Sequence, residues 1–210
     1  MIFQGILVAI SAVAATLYLV LYRKAPPSRR RALVKATAAG SLMVATIIEG
    51  APITLVFYFA SAALCDAILA REDGDDFFVA LAVALMAQIF LCLTFLTAWT
   101  GIDAPFVAAI GLGGIWVGYF MLIWGGLVRS RVAIICYSVG MLASTYVALG
   151  TDTYGQFAVI GMLFYVLSQV LISLEIYMLR RNEIEAVLAG HSVWISYYTS
   201  LLMFFVAFCG

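Results

Sequence analysis

Residues 77–99 read FFVALAVALMAQIFLCLTFLTAW, an unbroken apolar stretch without a charged residue. A helix needs about 20 apolar residues to cross the hydrocarbon core of a bilayer, so this stretch predicts a transmembrane helix. Of the 210 residues, 66% are hydrophobic and only 10% are charged, whereas a soluble domain is about half apolar and about a quarter charged. The composition predicts an integral membrane protein. It excludes a nucleic-acid binder, a disulfide-stapled secreted module and a disordered chain.

Polar breaks divide the chain into eight apolar stretches, at residues 2–22, 32–48, 51–70, 77–99, 105–124, 132–149, 155–178 and 191–209. The second stretch is the weakest, because it is rich in alanine and Lys35 lies one turn inside it. The first stretch has no basic region before it and is longer than the apolar part of a signal peptide, so it predicts a retained helix. The sequence therefore predicts an all-α, polytopic transmembrane bundle of eight helices, as a single domain over residues 1–210.

Basic residues all lie on one side of this topology. If eight helices alternate in direction, the odd-to-even connections and their edges contain Arg23, Lys24, Arg29, Arg30, Arg31, Lys35, Arg71, Arg129, Arg131, Arg180 and Arg181. The opposite connections carry acidic or neutral groups such as Glu49, Asp103 and Asp152. By the positive-inside rule the basic side is cytoplasmic, which predicts that both termini lie outside. A chain without the second helix would scatter the basic residues over both sides.

The cysteines and the single histidine do not form a metal-binding pattern. Cys65, Cys92, Cys136 and Cys209 are far apart within apolar runs, and no Cys-x-x-Cys spacing or Cys/His cluster includes His191. We therefore interpret the cysteines as small hydrophobic residues and expect no metal and no cofactor. The net charge is zero, so bulk charge identifies no partner.

Four ionisable side chains fall near the cytoplasmic ends of predicted helices: Lys35, Asp66, Glu175 and His191. Charged groups in lipid are costly and often mark function, so we expect these four to share one layer. Glu49 is expected only to cap a turn at the opposite end. Simpler interpretations remain open: Lys35 snorkels to lipid headgroups or pairs with Asp66 to lock two helices, Glu175 forms ion pairs at the rim, and His191 lies at the interface.

Polar, aromatic and glycine residues within the helices have two interpretations each. Gln88 and Gln169 contact a substrate or bridge helices by hydrogen bonds. Seven aromatic residues line a lipid cavity or anchor helices at the interfaces: Trp116, Tyr119, Tyr137, Tyr165, Trp194, Tyr197 and Tyr198. The segment Gly111–Gly114 with Gly118 predicts close packing of helix 5 within the bundle, or more weakly a dimer contact.

Short motifs follow one another along nearly the whole chain: Val34-Lys35-Ala36-Thr37, residues 57–66 ending in Cys65-Asp66, Phe77-Phe78, Ala87-Gln88, Ser168-Gln169, and Trp194 with Tyr197-Tyr198. In this order and spacing the chain resembles the lysoplasmalogenase (YhhN-like) integral membrane proteins, which have eight helices. The family pattern has Lys-Pro, Gly-Asp, Ala-His and Ser-Asp at four of these places. The chain departs from it at Ala36, Cys65, Gln88 and Gln169.

The resemblance implies hydrolysis of the vinyl ether bond of a lysoplasmalogen, to a fatty aldehyde and glycerophosphocholine or glycerophosphoethanolamine. Asp66 is then the candidate acid that protonates the alkenyl carbon, because desolvation near lipid favours the protonated form of a carboxyl group. Lys35 is the candidate that holds the substrate phosphate. Further candidates for substrate binding are Gln88, Ser168, Gln169, Tyr165, Trp194 and Tyr197. The implied partner is a membrane lipid or lysophospholipid.

Whether the protein is an enzyme stays open at this stage. An amide cannot accept a proton, so Gln88 and Gln169 leave a non-catalytic relative that binds a lipid or a partner membrane protein as the alternative. A small transporter is disfavoured, because the halves show no convincing repeat and Pro105 is the only proline in helices 4 to 8. A short chain without a sorting tail favours the bacterial inner membrane. The oligomeric state is left open.

Overall fold

The computed structural model describes residues 2–71, 76–103, 105–126, 131–177 and 183–210. Along them follow eight α-helices: α1 Ile2–Leu17, α2 Arg29–Ile48, α3 Ile53–Arg71, α4 Phe77–Leu96, α5 Pro105–Ile123, α6 Arg131–Leu149, α7 Phe157–Tyr177 and α8 Glu183–Cys209. The chain continues from α1 into a π-helical turn, Tyr18–Tyr22, and short 3-10 turns occupy Trp124–Gly126 and Tyr154–Gln156. Helices suit apolar surroundings because each segment satisfies its own backbone hydrogen bonds. The predicted all-α class with eight helices is confirmed.

Seven of the eight helices are long and apolar enough to cross a membrane, while the apolar stretch described for α5, Pro105–Met121, is shorter. The mean hydropathy of α2 is 1.4, the lowest of the seven, against 2.5 for α4. The second helix is therefore present, and its low hydropathy explains why it is the least clear of the predicted spans. The placement of both termini outside stays a prediction. Arg129, Arg180 and Arg181, on which that argument partly rests, lie outside the described residues.

The start of α2 was predicted three residues too late. Ser28 is the N-cap, and its hydroxyl oxygen accepts a hydrogen bond from the backbone N–H of Arg31 at 3.2 Å. Such a cap satisfies an N–H group that has no partner within the helix. The three arginines from Arg29 onward therefore form the first helical turn instead of a loop.

The connection from α2 to α3 is a tight turn at Gly50. Glu49 is the C-cap of α2 and is exposed, as its predicted role in the turn requires. Gly50 has a φ of +65°, and the N–H of Ala51 donates to the carbonyl oxygen of Thr46 at 3.1 Å. A glycine adopts this left-handed conformation without the steric cost that a Cβ would add.

Two other predicted helix ends are wrong. The helix predicted to reach residue 99 ends at Leu96, because the backbone of Trp99 forms a bridge with Thr151 and its ring stacks on Tyr146 at 6.2 Å. The last helix begins at Glu183 instead of residue 191. A polar sequence marks where a helix leaves the apolar core, and backbone hydrogen bonding continues beyond that point.

Internal contacts divide the chain into two compact units, Met1–Thr97 with Phe208–Gly210, and Ala98–Ala207. In the first unit α1 packs on α2, α2 on α3 and α3 on α4. The hydroxyl of Ser11 donates to the carbonyl oxygen of Ala38 at 2.6 Å, which joins α1 to α2. Small side chains at such contacts let helices approach closely. The single domain over residues 1–210 stays a prediction.

In the second unit α7 packs on α6 and α8, and α5 contacts both α6 and α7. A close approach of two helices occurs at Gly161 of α7, where an added Cβ would lie 2.6 Å from the ring of Phe204 on α8. The predicted packing of the α5 glycines within the bundle is wrong for the described residues, and their alternative dimer contact stays a prediction. No heavy atom among them lies within 4 Å of a Cβ built at Gly111, Gly113, Gly114 or Gly118.

Candidate functional site

Lys35 of α2 and Asp66 of α3 form a buried salt bridge. The distance from Nζ of Lys35 to Oδ1 of Asp66 is 2.9 Å, and the two side chains are 13% and 5% exposed. Lys35 lies in the second turn of α2, and Asp66 lies little more than one turn before the end of α3. The antiparallel course of α2 and α3 brings these positions to one level. Of the open interpretations of Lys35, the pairing with Asp66 is confirmed.

Tyr18, a residue that the sequence analysis missed, completes this ionic cluster. Its ring is buried, with Nζ of Lys35 at 5.6 Å and Cζ of Arg31 at 5.9 Å from the ring centroid. Nη2 of Arg31 also donates to the hydroxyl of Tyr18 at 3.3 Å. Cations within about 6 Å of an aromatic ring are attracted to its face. A tyrosine at the end of α1, just before an arginine-rich segment, was the only available signal.

The charges of this cluster favour an anionic ligand. Arg31 and Lys35 supply two positive charges, and Asp66 supplies one negative charge. Ammonium and guanidinium groups bind phosphate through charge-assisted hydrogen bonds. The excess positive charge therefore suits one phosphate group, provided that Lys35 or Arg31 is drawn from its present partner.

Gln88, predicted to bind substrate, is more completely buried than the two side chains of the ion pair. It is fully buried on α4. The rings of Phe57 on α3 and Phe90 on α4 stack at 5.2 Å and set the register of the two helices. Gln88 is then level with Phe59, roughly 10 Å along the helix axis from Asp66 at 1.5 Å per residue. The structure therefore does not place Gln88 beside the carboxylate.

In the second unit, Tyr165 of α7 is the centre of an aromatic cluster. Its hydroxyl shares a hydrogen bond of 2.8 Å with the hydroxyl of Tyr137 on α6. Its ring centroid lies 6.3 Å from those of Tyr197 and Phe204 on α8, and Tyr197 lies 5.7 Å from Trp194. Aromatic pairs at these separations add to the energy of simple burial. The structure thus brings together the predicted residues Tyr165, Trp194 and Tyr197.

Ser168 and Gln169 lie one turn along α7 from Tyr165. The buried hydroxyl of Ser168 donates to the carbonyl oxygen of Tyr165 at 2.7 Å, and Nε2 of Gln169 donates to Ser168 Oγ at 3.3 Å. One turn further, the hydroxyls of Ser173 and Tyr119 share a hydrogen bond of 2.6 Å. Ser173 was missed by the sequence analysis. This line of hydroxyl and amide groups suits hydrogen bonding to a polar headgroup or to water, and it supplies no carboxylate.

The predicted layer of four ionisable groups is divided between the two units. Lys35 and Asp66 belong to the first unit, and Glu175 and His191 belong to the second. The contact of Gly161 with α8 sets an antiparallel register in which Glu175 comes level with about residue 190, next to His191. Both of these side chains are half-buried.

The ligands available for a metal are few in the part of the chain that the structure describes. No three side chains of His, Cys, Asp and Glu lie together there in a group that holds a metal ion. None of the four cysteines, all of which the structure describes, forms a disulfide. The candidate chemistry therefore rests on the ion pair and on the hydroxyl-rich aromatic cluster.

Long apolar helices that enclose a lysine–aspartate pair define a multi-pass membrane protein. The model of the YhhN family matches residues 30–207, and the chain belongs to this family. The match confirms the resemblance and includes every predicted site residue, whereas α1 and Tyr18 precede it. No curated protein and no solved structure matches the chain.

Proposed function

We propose that this protein is a lipid hydrolase of the lysoplasmalogenase kind, which cleaves the vinyl ether bond of a lysophospholipid. The observation that carries the proposal is the buried pair of Lys35 and Asp66, 2.9 Å apart. These are the two charged positions that the family resemblance assigns to the reaction, and both lie within residues 30–207. A carboxylate and an ammonium group within a membrane cost free energy, so such groups usually have a function. In the proposed reaction the ammonium group binds the phosphate of the lipid and the carboxyl group supplies the proton.

The proposed chemistry needs one acid and one water molecule. The Asp66 carboxyl donates its proton to the alkenyl carbon that is not bonded to oxygen. The other alkenyl carbon and its ether oxygen then share the positive charge of an oxocarbenium ion. Water adds to that carbon and returns a proton to the carboxylate. The hemiacetal hydroxyl then loses its proton and the glycerol oxygen gains one as the bond between the carbon and the glycerol oxygen breaks. The products are a fatty aldehyde and glycerophosphocholine or glycerophosphoethanolamine.

The resting ion pair requires one further step before this acid can act. A carboxylate paired with Lys35 is ionised and has no proton to donate. We propose that the substrate phosphate attracts Lys35 away from Asp66, with Arg31 as a second cation close by. A buried carboxylate without its cation is neutralised by taking up a proton, because an unpaired charge is costly in apolar surroundings. Substrate binding then generates the acid that the reaction uses.

A second candidate function, a non-catalytic lipid-binding relative, is favoured by the two amides. Gln88 and Gln169 stand where the family pattern has histidine and aspartate, and neither amide can accept a proton from water. Gln88 is fully buried, and Gln169 donates a hydrogen bond to Ser168 at 3.3 Å. If the reaction needs a second carboxylate to activate water, the protein binds its lipid without cleaving it.

The proposal is tested by aldehyde release from a lysoplasmalogen added to the purified protein in detergent. Asp66→Asn is compared with Asp103→Asn, which makes the same change at an exposed position outside the helices. We expect aldehyde from the wild type and from Asp103→Asn, and none from Asp66→Asn. The saturated alkyl ether analogue should release no aldehyde from any of them.

The two candidate functions give different results in this assay. A well-folded wild-type protein that releases no aldehyde contradicts hydrolysis of this substrate and supports the non-catalytic alternative. Lipids extracted from the purified protein then identify what it binds. Equal aldehyde release from the wild type and from Asp66→Asn contradicts the role assigned to the carboxylate. The proposed location is the bacterial inner membrane, with the basic connections on its cytoplasmic side.

A further inference from the structure

An open apolar groove runs between α1 and α2 in the first unit. Its volume is about 470 Å³, and its lining is almost entirely hydrocarbon. The lining residues on α1 are Ile6, Ala9, Ile10, Val13, Ala14 and Leu17, and those on α2 are Val34 and Thr37. Ala9 and Ala14 are the small side chains in this lining, and the larger side chains surround them. The groove is therefore a shallow, open depression along α1.

The length of the groove is close to the thickness of one membrane leaflet. Ile6 and Leu17 are eleven positions apart on α1, which corresponds to about 16 Å at 1.5 Å per residue. The hydrocarbon core of a bilayer is about 30 Å thick, so one leaflet contributes about 15 Å. A single acyl chain that enters from one side of the membrane has this reach.

A positive charge lies at one end of the groove. Arg30 is exposed and lies four and seven residues before Val34 and Thr37, which places it on the same face of α2. The hydrogen bond from Ser11 to Ala38 sets the register of α1 and α2, and in that register Arg30 is level with residue 19, next to the Leu17 end of the groove. An apolar groove that ends at a guanidinium group matches an acyl chain that ends at a phosphate.

We propose that this groove binds one acyl chain of an anionic membrane phospholipid, whose phosphate pairs with Arg30. The site is distinct from the ion pair, because Lys35 turns toward α3 and Asp66 whereas the groove opens along α1 and α2. It therefore does not depend on the proposed hydrolase function. A lipid explains both the apolar length of the groove and the charge at one end of it. Packing of a second protein helix against the groove would not require a cation at its end.

The test uses the full-length protein in nanodiscs of phosphatidylcholine with a trace of phosphatidylglycerol that carries a photoreactive diazirine in its acyl chain. After irradiation, mass spectrometry maps the labelled residues. We expect labelling of the groove-lining segments of α1 and α2 above that of other exposed helix faces. Arg30→Gln should reduce this labelling about fivefold, since one basic residue near an anionic surface contributes about 1 kcal/mol. Arg29→Gln, an exposed neighbour that is not on the groove face, should leave it unchanged.

A second pair of variants tests the apolar part of the site. Ala9→Phe fills the groove and should abolish its labelling, whereas Thr16→Phe places the same ring at an exposed position of α1 outside the groove and should have no effect. Uniform labelling of all exposed helix faces, or unchanged labelling in Ala9→Phe, overturns the proposal. A cross-link between two protein copies at the groove, without a lipid adduct, also overturns it and identifies a second copy of the chain as the occupant.

Discussion

Lys35 and Asp66 join α2 to α3 through a salt bridge of 2.9 Å in which both side chains are nearly closed to solvent. Neither charge would be stable alone at this depth, because an isolated ion in apolar surroundings has lost its water and gained no partner. The ring of Tyr18, in the π-helical turn that continues α1, lies over the ammonium group. The same three helices therefore hold the candidate catalytic carboxylate and a structural contact, and mutations will affect both properties.

Removing the cation of this pair should destabilise the protein more than removing both charges. We expect Lys35→Met to lower the free energy of unfolding by about 3–5 kcal/mol, because it leaves a buried carboxylate unpaired. The double variant Lys35→Met/Asp66→Leu should recover most of that loss. Loss of helicity during titration of mixed micelles with SDS measures the wild type, Lys35→Met, Asp66→Leu and the double variant. Simple addition of the two single-variant effects would contradict a direct pair.

Gly161 should tolerate no side chain, because Phe204 occupies the space that a Cβ needs. An added Cβ would lie 2.6 Å from the ring, so we expect Gly161→Ala to lower the free energy of unfolding by about 1–3 kcal/mol. Gly114→Ala on α5 is the matched control, since no described atom lies within 4 Å of its Cβ. That variant should be neutral or slightly stabilising. Equal effects of the two variants in the same unfolding titration would count against close α7–α8 packing.

The hydroxyl pair of Tyr137 and Tyr165 should behave as one interaction. Each single change to phenylalanine keeps the ring and removes one side of a 2.8 Å hydrogen bond, so we expect a loss of about 1 kcal/mol. The double variant should lose no more than either single variant, because each single change already removes the same hydrogen bond and the double variant leaves neither hydroxyl behind. A double-mutant cycle on unfolding free energies gives the coupling, and a coupling of zero would show that the two hydroxyls act independently.

Gly50 should be sensitive to substitution for a conformational reason and not for lack of space. Its φ of +65° is costly for a residue with a Cβ, so Gly50→Ala should lower the free energy of unfolding by about 1 kcal/mol. Gly40→Ala lies within α2 at a position with open space around the added Cβ, and it should raise stability by up to about 1 kcal/mol. Thermal unfolding in detergent compares the two. A stabilising Gly50→Ala would contradict the left-handed turn.

Much of the architecture was predictable because the membrane imposes simple rules on a sequence. Each long apolar run had to become a helix, since lipid offers no partner for backbone groups. The ends were less predictable, because local contacts decide them. Ser28 starts α2 early through its cap, and Trp99 ends α4 early through its bridge to Thr151. No hydropathy pattern contains that information.

The candidate site was predictable only in part. Lys35 and Asp66 were found as rare charges in apolar segments, and the alternating topology placed them at one depth. Tyr18 and Ser173 were not predicted as site residues, because tyrosine and serine are common in membrane helices. Only their contacts in the structure show that they belong to the site. Gln88 was predicted to bind the substrate or to bridge helices, and helix register places it roughly 10 Å from Asp66 along the helix axis.

By itself, the sequence determined the class of the protein, the number of its helices and its membership of a family. These properties depend on hydrophobicity and on residue order, which are local and additive along the chain. Only the tertiary structure decided that Lys35 meets Asp66 beneath Tyr18, that Gly161 and not the glycines of α5 allows close packing, and that a groove between α1 and α2 ends near Arg30. Such contacts depend on the rotation and register of each helix. A shift of one residue turns a side chain by about 100°, and apolar composition alone does not set that angle.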